Sequence, residues 1–107
     1  MKRLPELKIN LFQLAVLLNE EERYFYNLVL ENNVYCTRCN GAAVNGVKVR
    51  EKYLTCLNDI RVRGTCRTCN GEVGRLFEFG ENKEFQQKAL RFRESIQPLL
   101  TEGRKKG

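Results

Sequence analysis

The chain has 107 residues, 42% of them hydrophobic, and carries 19 Lys and Arg against 13 Asp and Glu, a net charge of +6. That is material for one small core; two halves would each bury too little surface to fold, which excludes a multi-domain enzyme. No apolar run approaches the ~20 residues of a membrane helix, and the opening MKRLPELKIN lacks the apolar segment and cleavage site of a signal peptide. The expectation is a soluble, cytoplasmic protein.

Histidine is absent. This closes off a His general base, a Ser-His or Cys-His nucleophile, and any mixed Cys/His metal site. The charge is uneven: residues 1–35 sum to −1, residues 36–75 to +5 and residues 76–107 to +2. The positive potential therefore sits on the central segment. Chain order divides the single domain into an N-terminal helical hairpin (1–34), a metal-binding core (35–80), a C-terminal helix (81–98) and a basic tail (99–107).

In the N-terminal third, Leu11, Leu14, Ala15, Leu17 and Leu18 recur at helical spacing. Asn19 followed by Glu22 reads as a capping box opening a second helix, which would bury Tyr24, Phe25, Leu28 and Val29 and stop near Asn32-Asn33. A helix-turn-helix is disfavoured, because Glu20, Glu21 and Glu22 would repel phosphate at the end a recognition helix offers to DNA.

From Val47 to Thr65 the period changes to two. Val47, Val49, Glu51 and Tyr53 are expected on one strand face, with Lys48, Arg50 and Lys52 on the other. Asn58-Asp59 signals a turn, after which Ile60 and Val62 alternate with Arg61 and Arg63. Gly71 to Phe79 is expected as a short helix ended by Gly80. Asn82 then caps a final helix with an apolar stripe of Phe85, Ala89, Phe92 and Ile96, ended by Pro98. The tail beyond is expected to be frayed and solvated.

The five cysteines carry the chemistry. An odd count argues against a disulfide framework. Cys36, Cys39, Cys66 and Cys69 form two C-x2-C pairs separated by 26 residues, in the near-copies CTRCNG and CRTCNG. Two such turns present four soft, anionic ligands, which suits one structural Zn²⁺ in a closed shell. A rubredoxin-type iron site and a redox dithiol are the competing readings. The Asn-Gly after each pair supplies residues that tolerate positive φ. Cys56, placed mid-strand, is expected to be a buried thiol outside this set.

The C-x2-C-x-G form is similar to the cysteine-rich repeats of DnaJ-type chaperones, but only two copies are present. The run from Arg61 onward resembles more closely the HNH (His-Me finger) nucleases of the phage recombination endonuclease VII type. Val62-Arg63-Gly64 stands before Cys66 and Cys69 with Asn70 and Gly74 following, one residue short between the glycine and the first cysteine. Cys36 and Cys39 match that family's first knuckle, and the resemblance covers roughly residues 35 to 97. It implies an α+β fold with a treble-clef or HNH-like ββα core around the four-cysteine zinc site. It implies in the family a catalytic Asp-His pair as well, and here Leu54-Thr55-Cys56-Leu57 stands in its place. Of the catalytic set only Asn70 remains, so a protein without nuclease activity is expected.

The resulting expectation is a non-catalytic nucleic-acid-binding module, DNA favoured over RNA. Lys48, Arg50, Lys52, Arg61, Arg63, Arg67 and Arg75 are the candidate phosphate contacts. Tyr53 and Phe77 are candidates for base stacking whose simpler reading is core. An ordinary solubilising surface would explain the same charges. The alternatives are a protein-interaction adaptor, an assembly subunit or an inhibitor of a nucleic-acid enzyme, docking through the N-terminal helices. The last is a residual nuclease holding Mg²⁺ or Mn²⁺ through Asn70, Asp59 or Glu72.

Overall fold

The computed structural model describes the backbone of residues 4–106 and the side chains of residues 4–96. The fold is α+β, with three helices and a small antiparallel sheet. A three-residue strand, β1 (Leu7–Ile9), leads into helices α1 (Leu11–Leu17) and α2 (Glu20–Asn32). A short ladder of β2 (Tyr35–Cys36) and β3 (Gly41–Ala42) follows. Then come the long strands β4 (Val47–Leu54), β5 (Ile60–Cys66) and β6 (Glu72–Phe77), a 3₁₀ turn at Phe79–Glu81, and helix α3 (Lys83–Lys106). The main sheet is antiparallel in the order β1-β4-β5-β6.

Each predicted cap is formed. Asn19 Oδ1 accepts from the Glu22 N–H at 2.8 Å while Glu22 Oε1 accepts from the Asn19 N–H at 2.9 Å, so two orphan donors are satisfied reciprocally. Asn10 and Gln13 build the same box on α1. Asn82 Oδ1 accepts from the Phe85 N–H at 3.0 Å to start α3. The core lies between the inner sheet face and the helices. Leu14 and Leu17 from α1, Tyr26 and Val29 from α2, and Phe85 and Ala89 from α3 pack with Leu54, Ile60, Val62 and Phe77. Tyr26, Phe77, Phe79 and Phe85 form a chain of rings with neighbouring centroids 5.0–5.6 Å apart.

Several expectations are corrected. Helix α2 buries Tyr26, Val29 and Leu30, leaving Tyr24, Phe25 and Leu28 70%, 45% and 44% exposed. The face is fixed by the Tyr26 ring packing tilted against Phe77, which turns Tyr24 and Leu28 outward. Gly71 to Phe79 is not a helix. Val73, Arg75 and Phe77 alternate on one side of β6, and pairing with β5 satisfies backbone groups that a single helical turn would leave open. Helix α3 continues through Pro98 to Lys106 rather than ending there. A proline removes one N–H, so one carbonyl loses its donor while the backbone can stay helical beyond it. The tail expected to be frayed is thus helical in its backbone to Lys106, and its side chains lie outside the described residues. Cys56 sits in the turn between β4 and β5, half-buried, not mid-strand.

The most consequential correction is in β4. Its pairing with β5 runs Val47↔Cys66, Lys48↔Thr65, Val49↔Gly64, then shifts to Glu51↔Arg63, Lys52↔Val62 and Tyr53↔Arg61. Arg50 is the extra residue of a β-bulge, and past it the side-chain phase inverts. Lys52 therefore shares the inner face with Val47, Val49 and Leu54, while Glu51 and Tyr53 turn to the outer face. The expected grouping of Lys48, Arg50 and Lys52 on one face fails for this reason. Gly64 permits the close approach at the bulge, because a Cβ there would collide with the Lys48 carbonyl oxygen.

Candidate metal centre and nucleic-acid interface

The two knuckles are built the same way. Cys36 ends β2 and Cys66 ends β5, so each pair begins where a strand stops. Asn40 and Asn70 both take left-handed φ, 56° and 62°, turning the chain back. The Asn70 N–H donates to the Cys66 carbonyl at 2.8 Å, and the Asn40 N–H to the Thr37 carbonyl at 3.2 Å. The loop between β3 and β4 ties one knuckle to the other. The Arg67 N–H donates to the Gly46 carbonyl at 3.0 Å, and Asn45 Nδ2 to Thr68 Oγ1 at 2.9 Å.

These contacts bring all four sulfurs within 4.8 Å of one another. Cys36 Sγ lies 3.5 Å from Cys69 Sγ, and Cys39 Sγ 3.8 Å from Cys66 Sγ. A tetrahedral Zn²⁺ with bonds of ~2.3 Å needs sulfurs ~3.8 Å apart, a spacing close to that of these two pairs, so the cluster could hold a metal ion such as zinc. The backbone N–H groups of Cys69 and Thr68 point at the Cys66 sulfur and pull its thiol down to about 6, against the opposing effect of burial. Cys39, hydrogen-bonded first of all to Cys69, is pushed up to about 12. Gly71 closes the second knuckle, its N–H 3.4 Å from Cys69 Sγ and the Arg38 stem filling the space a Cβ would need. A shell of four sulfurs leaves no ligand position for a substrate.

The chain matches no family model, no curated protein and no solved structure.

Of the three groups considered for a divalent nuclease metal, Asp59 is set apart from Asn70 and Glu72. Asp59, buried at the β4–β5 turn, accepts the Gly80 N–H at 2.8 Å through Oδ1, and burial pushes its carboxyl up. Glu72 pairs with Thr65 at the far end of β5, ~20 Å away at strand rise, and Asn70 stands beside it in the knuckle. Among the described residues, no other cluster of three acidic or cysteine side chains forms.

The seven candidate phosphate contacts divide. Lys48, Arg61 and Arg63 lie on the outer sheet face by register, and exposed Arg50 lines the same surface at the bulge. Lys52 instead lines an inner cleft with Tyr26, Val47 and Val49, and exposed Arg67 stands at that cleft from the second knuckle. Arg75 points to the inner side of β6, its guanidinium 5.6 Å from the Phe77 ring centroid. Phe77 is core, at 2% exposure, whereas Tyr53 is half-buried on the outer face. Lys8 of β1, which pairs with Tyr53, joins the outer face too. Sequence reasoning missed it, though the Leu7-Lys8-Ile9 alternation was the available signal.

The outer face is thus a sheet surface with Lys8, Lys48, Arg50, Arg61 and Arg63 set against Glu6, Glu51 and Glu72. Glu51 stands 3.8 Å from Lys8 and 4.0 Å from Arg63, long contacts between exposed groups that hold little energy. Arg61 is held firmly: Nη2 and Nε donate to the Glu6 carboxylate at 2.7 and 3.3 Å, and the guanidinium lies 4.7 Å over the Tyr53 ring. The turn behind this face is clamped by α3. Buried Arg93 donates to Asn58 Oδ1 at 2.7 Å and to the Thr55 and Pro5 carbonyls at 2.6 Å each, while Gln86 receives the Asn58 amide. No described helix is long and apolar enough to cross a membrane.

Proposed function

We propose that this chain is a non-catalytic nucleic-acid-binding module whose fold is held by one structural Zn²⁺ on Cys36, Cys39, Cys66 and Cys69. The observation that carries the reading is the collection of Lys8, Lys48, Arg50, Arg61 and Arg63 on one open sheet face, around an aromatic ring. Phosphates engage such a face through charge alone, which gives affinity without sequence preference. DNA is favoured, and a treble-clef or HNH-like origin is proposed, on the knuckle spacing and the Val62-Arg63-Gly64 run. Strand β6 departs from the ββα order at the point where that origin calls for a helix.

Fluorescence anisotropy of the zinc-loaded protein with labelled DNA, over a salt series, tests this. Log affinity should fall linearly with log salt, and replacing Arg50 and Arg63 together by alanine should reduce the slope by roughly 1.4–1.8. No binding at low salt would refute the reading.

A second reading has its own observation. Leu11, Phe12 and Val16 on α1 are 56–77% exposed, an apolar surface of the kind that protein partners cover. Capture of a protein partner that survives high salt and is lost on Phe12→Ser would favour the adaptor.

A further inference from the structure

We infer that the outer sheet face takes single-stranded nucleic acid, and that Arg61 acts there as a stacking plate for one unpaired base rather than as a phosphate clamp. This rests on the reading of that face as a nucleic-acid surface. Two observations carry it. The first is how Arg61 is held. Tyr53 lies under its guanidinium and Glu6 grips its edge through two hydrogen bonds, so the plane is fixed and its charge is already balanced. A guanidinium in that state has little to offer a phosphate, but its flat face suits a base, which stacks on arginine planes as on aromatic rings.

The second observation is the space beside it. Gly74, directly across from Arg63 in the ladder, has no side chain on the outer face. A shallow depression of about 420 Å³ opens there, lined by Arg61, Arg63, Gly74 and Leu76. Leu76 is 44% exposed and supplies an apolar wall. The floor is backbone, the walls are apolar and guanidinium with the Glu72 carboxylate at one end, and Lys48 and Arg50, which form no ion pair among the described residues, lie along the same face for the phosphates. A duplex keeps its bases stacked inside and cannot use such a slot. A single strand can turn one base into it.

The test is anisotropy with labelled oligo(dT), an abasic oligomer of equal length, and a duplex, using the zinc-loaded full chain. Arg61→Lys keeps the charge and removes the plane. It should weaken oligo(dT) binding roughly 5- to 150-fold, the range one stacked base carries, and leave the abasic oligomer and the salt slope unchanged. Gly74→Leu fills the depression and should do the same; its Cβ would stand 3.4 Å from the Val62 carbonyl oxygen, an ordinary contact. Metal content and melting temperature confirm that each variant is folded. Equal affinity of Arg61→Lys and the unaltered protein for oligo(dT), or equal losses on the abasic strand, would overturn the stacking role while leaving a nucleic-acid surface. Tighter binding of duplex than of oligo(dT) would overturn the single-strand assignment alone. Binding to none of the three would overturn both the inference and the reading beneath it.

Discussion

Replacing Arg93 by methionine should destabilise the protein by about 3 kcal/mol. The guanidinium makes three hydrogen bonds of 2.6–2.7 Å, to Asn58 Oδ1 and the Thr55 and Pro5 carbonyls. Asn58 is completely buried, so its oxygen would be stranded at a cost of about 1–3 kcal/mol. The Thr55 and Pro5 carbonyls belong to less buried residues that water can reach, and each adds about 1 kcal/mol at most. Set against this, the guanidinium is buried with no carboxylate partner among the described residues, and burial pulls its pKa down; removing it recovers part of that desolvation. Urea titration followed by circular dichroism, on zinc-loaded protein, measures the difference. A cycle with Asn58→Gly isolates the pair, because Asn58 sits at φ 63° and glycine accepts that backbone without strain. Coupling below about 0.5 kcal/mol, or a cost for Arg93→Met under about 1 kcal/mol, would refute the account of the clamp.

Two further outcomes follow from the metal centre and the bulge. Cys69→Ser should lose zinc by atomic absorption and lose the cooperative unfolding of the central region, whereas Cys56→Ala should keep full stoichiometry; retention of zinc by the first or its loss by the second would mean the ligand set is wrong. Gly64→Ala should cost about 3 kcal/mol in a denaturant titration, since its Cβ would meet the Lys48 carbonyl oxygen, a backbone atom that cannot rotate away. A cost below about 1 kcal/mol would show that the strands can separate there.

The sequence exposed the chemistry of the centre more fully than the geometry of the sheet. Cysteine spacing and the trailing asparagines are local signals, and the structure converges all four sulfurs with both asparagines at positive φ. The caps at Asn19 and Asn82 were legible because a cap is a contact within one turn. The bulge was not, because strict alternation assumes an unbroken ladder. Its trace was present: Val49 and Leu54 are both apolar and five apart, an odd spacing that a regular strand cannot place on one face. Strict alternation without it places Tyr53 with the core side chains and Lys52 in solvent. Strand β6 was obscured because Gly80 reads as a helix stop for Gly71 to Phe79, although Val73 and Phe77 already shared a parity. Arg93 could not be anticipated, since its partners are 35, 38 and 88 residues away.

The register of the β4–β5 hairpin has a consequence for how errors in folding are rejected. Cys66 reaches the other thiols only because Val47 lies opposite it, and that pairing depends on the residue inserted at Arg50. A hairpin that zipped up from the Asn58 turn without the bulge would arrive at its open end one residue out of step. Its second knuckle would then face away from Gly46 and from the first pair of sulfurs. Convergence of the four sulfurs at one end of the ladder and the Arg93 clamp at the other thus act as two independent checks on a single count of residues. A chain that miscounts separates the four sulfurs, and with them the one cluster among the described residues that could hold a metal ion.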